Sequence, residues 1–151
     1  MAVEQGDQAP DFDLVAGKDE RVTLEQFRGR RNVLLVFHPF AFSGICMAEA
    51  KELQESIDRF RDSETEVIFV SCDPISARLA WKEQLGADYT FASDFWPHGA
   101  AAMAYGVFDE TVGASRRGTF LIDKEGIVKW AKVNAIPEQR EGLAEESLAA
   151  V

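Results

Sequence analysis

The segment PFAFSGIC, residues 39–46, contains the residues of this chain best suited to nucleophilic chemistry. Its cysteine, Cys46, follows an apolar run and precedes a segment with helical periodicity. Unpaired N–H groups at the start of a helix favour a negative charge. A cysteine reacts as its thiolate, which forms in free cysteine with a pKa of about 8.5. The position of Cys46 therefore predicts a thiol that is held ready to attack an electrophile.

Three further residues would support a thiolate at this position. The hydroxyl of Ser43, three residues before Cys46, is expected to hydrogen-bond the sulfur or a bound oxygen atom. Pro39 has no N–H and is expected to cover one side of the pocket against water. One arginine of the pair Arg116 and Arg117, which opens a predicted strand, would supply a permanent cation with forked donors. Together these groups predict a site for attack on an oxygen atom.

Each of these residues also has an ordinary structural interpretation. A single cysteine in an apolar segment is more often packing than nucleophile, and a serine before a helix is usually an N-cap. Paired arginines at a strand end are usually solvated. The pattern Pro39-x-x-x-Ser43-x-x-Cys46, placed between an apolar strand and an amphipathic helix, favours the catalytic interpretation.

Composition and charge exclude several classes of protein. The 151 residues carry 16 Lys and Arg against 26 Asp and Glu, and the net charge of −10 disfavours a nucleic-acid partner. No stretch is apolar and long enough to cross a membrane, and the start, MAVEQGDQAPDFD, lacks a secretory signal, which predicts a cytoplasmic protein. The two cysteines and two histidines lack metal-ligand spacing, so we expect neither a metal nor a cofactor.

The periodicity of the chain predicts alternating strands and helices in a single domain, residues 1–151. NVLLVFHPF and EVIFVSCD read as strands buried on both faces, and ISARLAWKEQLG reads as a helix that ends at Gly86. A short helix is expected through Tyr105, then a hairpin of RRGTFLID and IVKWAKV, then a terminal helix in REGLAEESLAAV. One apolar helical stripe after Gly44 comprises Ala50, Leu53, Ile57 and Phe60. This pattern predicts an α/β fold whose mixed central sheet has an antiparallel edge and helices on both faces.

The order of these motifs resembles that of the peroxiredoxins over nearly the whole chain. The matching blocks are GDQAPDFDL, VTLEQFRG, NVLLVFHP, PFAFSGIC, VIFVSCD, AYGVFDE and RGTFLIDKEGIV. The family pattern is Pro-x-x-x-Thr/Ser-x-x-Cys, and this chain has the serine. PFAFSGIC, SDFWPHG and AYGVFDE are most similar to the AhpE-like one-cysteine subgroup. The resemblance implies a thioredoxin-like fold and the activity of a thiol-dependent peroxidase.

The resemblance also implies a role for each matching residue. Cys46 becomes the peroxidatic cysteine, which attacks hydrogen peroxide or an organic hydroperoxide and becomes a sulfenic acid. Ser43 would orient the peroxide, Pro39 would shield the pocket, and Arg117, which directly precedes GTFLID, would activate the sulfur. Glu49 matches an acidic position that orients arginines.

Two further residues each have two alternative roles. His38 resembles a histidine that some one-cysteine members carry beside the pocket, and packing is its alternative role. Cys72 is the only candidate for a resolving cysteine, but its position at the end of an apolar run favours a structural role. The expected cycle therefore uses an external thiol, and the subgroup resemblance implies mycothiol, a mycoredoxin or a thioredoxin-like reductant.

Two alternative functions share the same fold. A thioredoxin-like oxidoreductase would need Cys-x-x-Cys, and position 49 is Glu. A non-catalytic redox sensor or scaffold is the second alternative. Four aromatic residues are expected either in the core or around the pocket rim: Phe40, Phe42, Trp81 and Trp96. Because members of the family commonly pair through the face near the active-site loop, we expect a homodimer.

Overall fold

Strands and helices alternate along the chain, followed by a hairpin and a last helix. The computed structural model describes residues 1–151. The strands are β1 Asp13–Gly17, β2 Glu20–Thr23, β3 Asn32–Phe37, β4 Thr65–Ser71, β5 Thr90–Ser93, β6 Phe108–Asp109, β7 Ala114–Ser115, β8 Arg117–Ile122 and β9 Val128–Asn134. The helices are α1 Gly44–Glu55, α2 Ile57–Asp62, α3 Ile75–Leu85, α4 Ala100–Ala104 and α5 Leu143–Ala150. None of them is both long and apolar enough to cross a membrane.

Seven strands form one mixed sheet in the order β2-β1-β5-β4-β3-β8-β9, and β6 pairs with β7 in a separate ribbon. β3, β4 and β5 are parallel, whereas β8 is antiparallel to β3, with Val36 opposite Thr119. The carboxyl end of β3 therefore lies beside the amino end of β8. Since α1 follows β3 and β8 begins with Arg117, this register brings the loop before α1 close to Arg117.

Apolar side chains cover both faces of the sheet, because its central strands are buried on both sides. One face packs against α4 and the N-terminal segment, through residues that include Phe12, Ala102 and Tyr105. The other face packs against α1, α2, α3 and α5, and its core includes Leu53 and Trp81. The predicted mixed sheet with helices on both faces is confirmed.

The structure differs from the predicted elements at several places, and the ribbon of β6 and β7 is one of them. The apolar stripe after Gly44 lies on two helices, because the helix breaks at Ser56. The four-residue strand β5 was not predicted, because so short a segment shows no clear period. The short helix expected through Tyr105 is α4, which ends at Ala104, and Asp94 accepts the N–H groups of Ala101 and Ala102.

Candidate active site

Cys46 lies in the first turn of α1 and is fully buried. Its sulfur accepts a hydrogen bond from Arg117 Nη1 at 3.4 Å. Arg117 begins β8, next to the end of β3, so the sheet register delivers the guanidinium to the start of the helix. The structure therefore joins the cysteine and the arginine that were predicted from segments 71 residues apart.

Ser43 occupies the N-cap position of α1 but does not cap it with its side chain. Its hydroxyl donates to the carbonyl of Phe40 at 3.0 Å and not to the sulfur of Cys46, the first of the two partners that the sequence suggested; the second, a bound oxygen atom, stays a prediction. The first N–H groups of a helix have no intrahelical partner. The amino end of α1 therefore offers uncapped N–H donors beside the Ser43 hydroxyl.

A buried carboxylate holds Arg117 in place. Glu49, on the inner face of α1, accepts Arg117 Nη1 at 2.6 Å and is completely buried. Arg117 Nε donates to the carbonyl of Ile136 at 2.7 Å, which fixes the plane of the guanidinium. The predicted contact between Glu49 and an arginine is present in the structure.

Arg140 completes this ion cluster, and the sequence did not reveal it. Its Nε donates to Glu49 Oε2 at 2.8 Å, and its Nη2 donates to Oε1 at 2.9 Å. Its Nη1 donates to the Thr119 hydroxyl and to the carbonyl of Gly118. Burial raises the pKa of Glu49, but the hydrogen bonds and charge of Arg140, together with the charge of Arg117, lower it more, so the net shift is downward. Glu49 is therefore an anion between two buried cations.

Arg140 lies between β9 and α5, in a segment without helical or strand periodicity. The one signal in the sequence was Glu49 itself. A glutamate on the inward face of a helix, three residues after Cys46 and four before the buried Leu53, must find cationic partners.

The loop between β3 and α1 is tied to the next strand of the sheet. The N–H of Ala41 donates to Asp73 Oδ2 at 2.8 Å, and the same oxygen accepts the Ser71 hydroxyl at 2.6 Å. Pro39 is buried in this loop, whereas Phe42 has a φ of 66°, a left-handed conformation that is uncommon for residues other than glycine. The Asp73 carboxylate therefore helps to fix a strained loop.

His38 is fully buried just before Pro39, and its ring stacks on Phe69 with 3.9 Å between ring centroids. Its Nε2 lies 2.6 Å from Nη1 of Arg78, a fully buried arginine on α3. Burial, followed by the charge of Arg78, holds the pKa of His38 well below its usual value. The structure thus gives His38 a buried cationic partner that the sequence did not indicate.

Cys72 follows β4 and forms no disulfide with Cys46. Burial, followed by the charges of Asp94 and Asp73, raises the pKa of Cys72 to about 12. Cys72 and Pro39 line a largely apolar groove of about 210 Å³ whose lining does not include Cys46. The surroundings of Cys72 therefore oppose thiolate formation.

The aromatic residues divide between the core and the surface. Trp81 is fully buried in the core between α3 and the sheet, as packing would require. The exposed aromatics are Phe40, Phe42, Phe95 and Trp96. Phe40 and Phe95 line the groove of Cys72, and Phe95 and Trp96 line a second apolar groove of about 190 Å³.

Comparison with known families identifies the class of protein. Residues 5–131 match the model of the AhpC/TSA family. The chain therefore belongs to the AhpC/TSA family of peroxiredoxins. Its structure superimposes on that of peroxidoxin BcpB from Mycobacterium tuberculosis with a TM-score of 0.87, at 25% identity over 97% of this chain and 95% of the other. A TM-score of 0.85 relates it to AhpC from Enterococcus faecalis, at 29% identity over 99% and 93% of the two chains.

Sequence comparison relates the chain to a particular member of that family. It is 41% identical to alkyl hydroperoxide reductase E from Mycobacterium tuberculosis over 136 residues, which cover 90% of this chain and 89% of the relative. It is 34% identical to peroxiredoxin TSA1-B from Candida albicans over 93% of this chain and 74% of the relative. The predicted family, its thioredoxin-like fold and its activity are confirmed: the protein is a thiol-dependent peroxidase.

Proposed function

We propose that Cys46 is the peroxidatic cysteine and that this enzyme works by a one-cysteine mechanism. The contact that supports this assignment is the 3.4 Å approach of Arg117 Nη1 to the sulfur, inside a cluster closed to solvent. A fixed cation favours the thiolate over the thiol, and the thiolate is the nucleophile.

In the proposed reaction the Cys46 thiolate attacks one oxygen of the peroxide. An S–O bond forms, the O–O bond breaks, and the departing oxygen takes a proton and leaves as water or an alcohol. Arg117 and the uncapped N–H groups of α1 stabilise the charge that moves onto the departing oxygen. Ser43 orients the peroxide, which requires its hydroxyl to rotate away from the carbonyl of Phe40. Pro39, which lacks an N–H, shields the pocket without a competing donor.

An external thiol then reduces the sulfenic acid. The thiol attacks the Cys46 sulfur, water leaves, and a mixed disulfide forms, which a second thiol resolves. Mycothiol, a mycoredoxin or a thioredoxin-like protein fits this role. Two free cysteines also suit a reducing compartment, and we assign the enzyme to the cytoplasm on that ground.

The chemistry of Cys72 opposes the alternative two-cysteine cycle. A thiol with a pKa of about 12 is almost entirely protonated at neutral pH, and its groove does not include Cys46. We therefore propose a structural role for Cys72.

Intact mass after one equivalent of hydrogen peroxide tests both assignments. Wild type and Cys72→Ser should gain one oxygen atom that a sulfenic-acid trap captures, whereas Cys46→Ser should gain none. Loss of two hydrogens in wild type, absent from both single variants, would instead establish an intramolecular disulfide. Peroxide consumption that survives in Cys46→Ser would overturn the assignment of Cys46.

We also propose that two copies pair through the exposed aromatic surface formed by Phe40, Phe95 and Trp96. Phe40 and Phe95 line an apolar groove that includes Pro39 of the loop before α1, and Phe95 and Trp96 line a second groove. Large exposed aromatics commonly mark an interface. Light scattering should give about twice the chain mass of 16.8 kDa for wild type and one chain mass for Trp96→Glu. A monomeric wild type would refute the pairing.

A further inference from the structure

The segment between β9 and α5, residues 135–142, contacts the buried ion cluster at two points. The carbonyl of Ile136 accepts Arg117 Nε at 2.7 Å, and four residues later the side chain of Arg140 binds both oxygens of Glu49. An ion pair fixes the second contact, whereas the first uses a main-chain carbonyl. The conformation of the segment therefore decides where the acceptor of Arg117 Nε lies.

The segment begins with a turn directly opposite Arg117. Asn134, the last residue of β9, pairs with Arg117 in the antiparallel register of β8 and β9. The chain turns immediately afterwards, and the N–H of Glu138 donates to the carbonyl of Ala135 at 3.1 Å. Ile136 lies inside this four-residue turn and is half-buried. The turn therefore sets the position of the Ile136 carbonyl relative to Arg117.

The side chain of Glu138 closes the same turn. Its Oε1 accepts the side-chain Nδ2 of Asn134 at 2.9 Å and the N–H of Ala135 at 3.3 Å. These hydrogen bonds, first that of Asn134 and then that of Ala135, lower the pKa of Glu138, so the group is an anion at neutral pH. Hydrogen bonds to an ionised acceptor are stronger than those between neutral groups. One exposed carboxylate therefore ties the two ends of the turn together.

Glu138 also selects the orientation of the Asn134 amide. Asn134 Oδ1 is buried and accepts no hydrogen bond, whereas Nδ2 donates to Glu138. A buried acceptor without a partner costs free energy, yet the reversed amide would place its oxygen against the carboxylate. No other hydrogen bond of this side chain fixes its orientation. The end of β9 therefore depends on an acceptor at residue 138.

We propose that Glu138 is a positioning residue for the peroxidase reaction, because the turn that it closes holds the Ile136 carbonyl against Arg117 Nε. That hydrogen bond keeps Arg117 Nη1 aimed at the Cys46 sulfur, 3.4 Å away. Glu49 binds the same Nη1, but the guanidinium can rotate about a single anchor, so the contact at Nε fixes its plane. The inference rests on the proposed role of Cys46.

Removal of the carboxylate should misplace Arg117 and slow the oxidation of Cys46. In Glu138→Ala the second-order rate constant for hydrogen peroxide at pH 7 should fall roughly fivefold to tenfold, because even a small displacement of a positioned group lowers the rate. Glu138→Gln keeps an acceptor oxygen for Asn134 and Ala135, so its rate should stay within about twofold of wild type. Stopped-flow oxidation measures the three rates.

Glu141→Ala is the matched control for charge. Glu141 is an exposed glutamate in the same segment but lies outside the turn, so this variant removes the same charge and leaves the turn closed. Its rate should stay within about twofold of wild type. A wild-type rate in Glu138→Ala would overturn the inference. A loss of the same size in Glu138→Ala and Glu141→Ala would overturn it too, because the charge of the segment would then be responsible.

The Nε–H of Arg117 supplies a second readout, which does not depend on the rate. Because this group is buried and hydrogen-bonded in wild type, its proton should exchange slowly with water and give a resolved NMR signal. The exchange should be roughly tenfold faster in Glu138→Ala and unchanged in Glu138→Gln and Glu141→Ala. Slower oxidation with wild-type exchange at Arg117 Nε would overturn the inference and leave the proposed function intact. Peroxide consumption that does not need Cys46 would instead overturn the proposed function, whatever the exchange at Arg117.

Discussion

One nitrogen of Arg117 joins two buried groups: Nη1 lies 2.6 Å from Glu49 Oε1 and 3.4 Å from the Cys46 sulfur. The carboxylate and the sulfur therefore share a single donor atom. Glu49 fixes the position of this nitrogen but also neutralises much of its charge. Arg140 offsets that neutralisation by binding both oxygens of the same carboxylate.

The first prediction concerns the stability that this cluster provides. Glu49→Gln removes the only carboxylate between two buried arginines and should lower the free energy of unfolding by roughly 3–5 kcal/mol at pH 7. Because the pKa of folded Glu49 lies below its usual value of 4.5, its contribution is complete above about pH 4.5 and disappears as the pH falls through the folded-state pKa. Urea unfolding of wild type and Glu49→Gln between pH 3 and 7 measures the difference in their free energies of unfolding. A difference that does not shrink at low pH would contradict the prediction.

The second prediction separates two adjacent arginines. Arg117→Met removes the donor to the Cys46 sulfur and should lower the second-order rate constant for peroxide by roughly 10²–10³. Arg116→Met is the control, because Arg116 donates instead to the carbonyl of Gly106, and its rate should stay within about threefold of wild type. Stopped-flow oxidation measures both rates. Equal losses in the two variants would show that positive charge in general, and not the contact of Arg117, supports the reaction.

Local sequence patterns predicted Cys46 and one arginine of the pair Arg116 and Arg117, and the family resemblance selected Arg117 and added Glu49. Cys46, Arg117 and Glu49 lie on regular elements. Local patterns were insufficient for Arg140, which lies in an irregular segment 91 residues from its partner Glu49. No local period specifies a contact of that kind.

Arg78 was missed for a different physical reason. A charged residue on an amphipathic helix is normally solvated, and α3 gives no local sign that this position faces inward. The resemblance offered its partner His38 a place beside the pocket, with packing as the alternative, and neither interpretation indicated a cation as the partner of His38. Side-chain hydrogen bonds across 40 residues arise from the packed sheet and are invisible in either segment alone.

The third prediction concerns the loop that carries Ser43. Asp73→Ala removes the acceptor of the Ala41 N–H and should slow oxidation of Cys46 by roughly tenfold, because the loop is then poorly positioned. Asp73→Asn retains an acceptor oxygen, so its oxidation of Cys46 should slow less than that of Asp73→Ala. Amide hydrogen exchange at Ala41 should be faster in Asp73→Ala than in Asp73→Asn. Unchanged exchange together with a slower reaction would assign the effect to charge instead of loop position.

The last prediction uses the buried histidine. The pKa of folded His38 lies well below that of the unfolded chain, about 6.5, because of burial and then the charge of Arg78. The unfolded state therefore binds a proton first as the pH falls, so the folded state loses up to about 1.4 kcal/mol of stability per pH unit below about pH 6.5. His38→Phe should remove this contribution to the slope of the free energy of unfolding against pH. His98→Asn, at an exposed histidine, should retain it. Urea unfolding between pH 5 and 8 gives the three slopes. If His38→Phe and wild type share the same slope, His38 does not stay neutral in the folded protein.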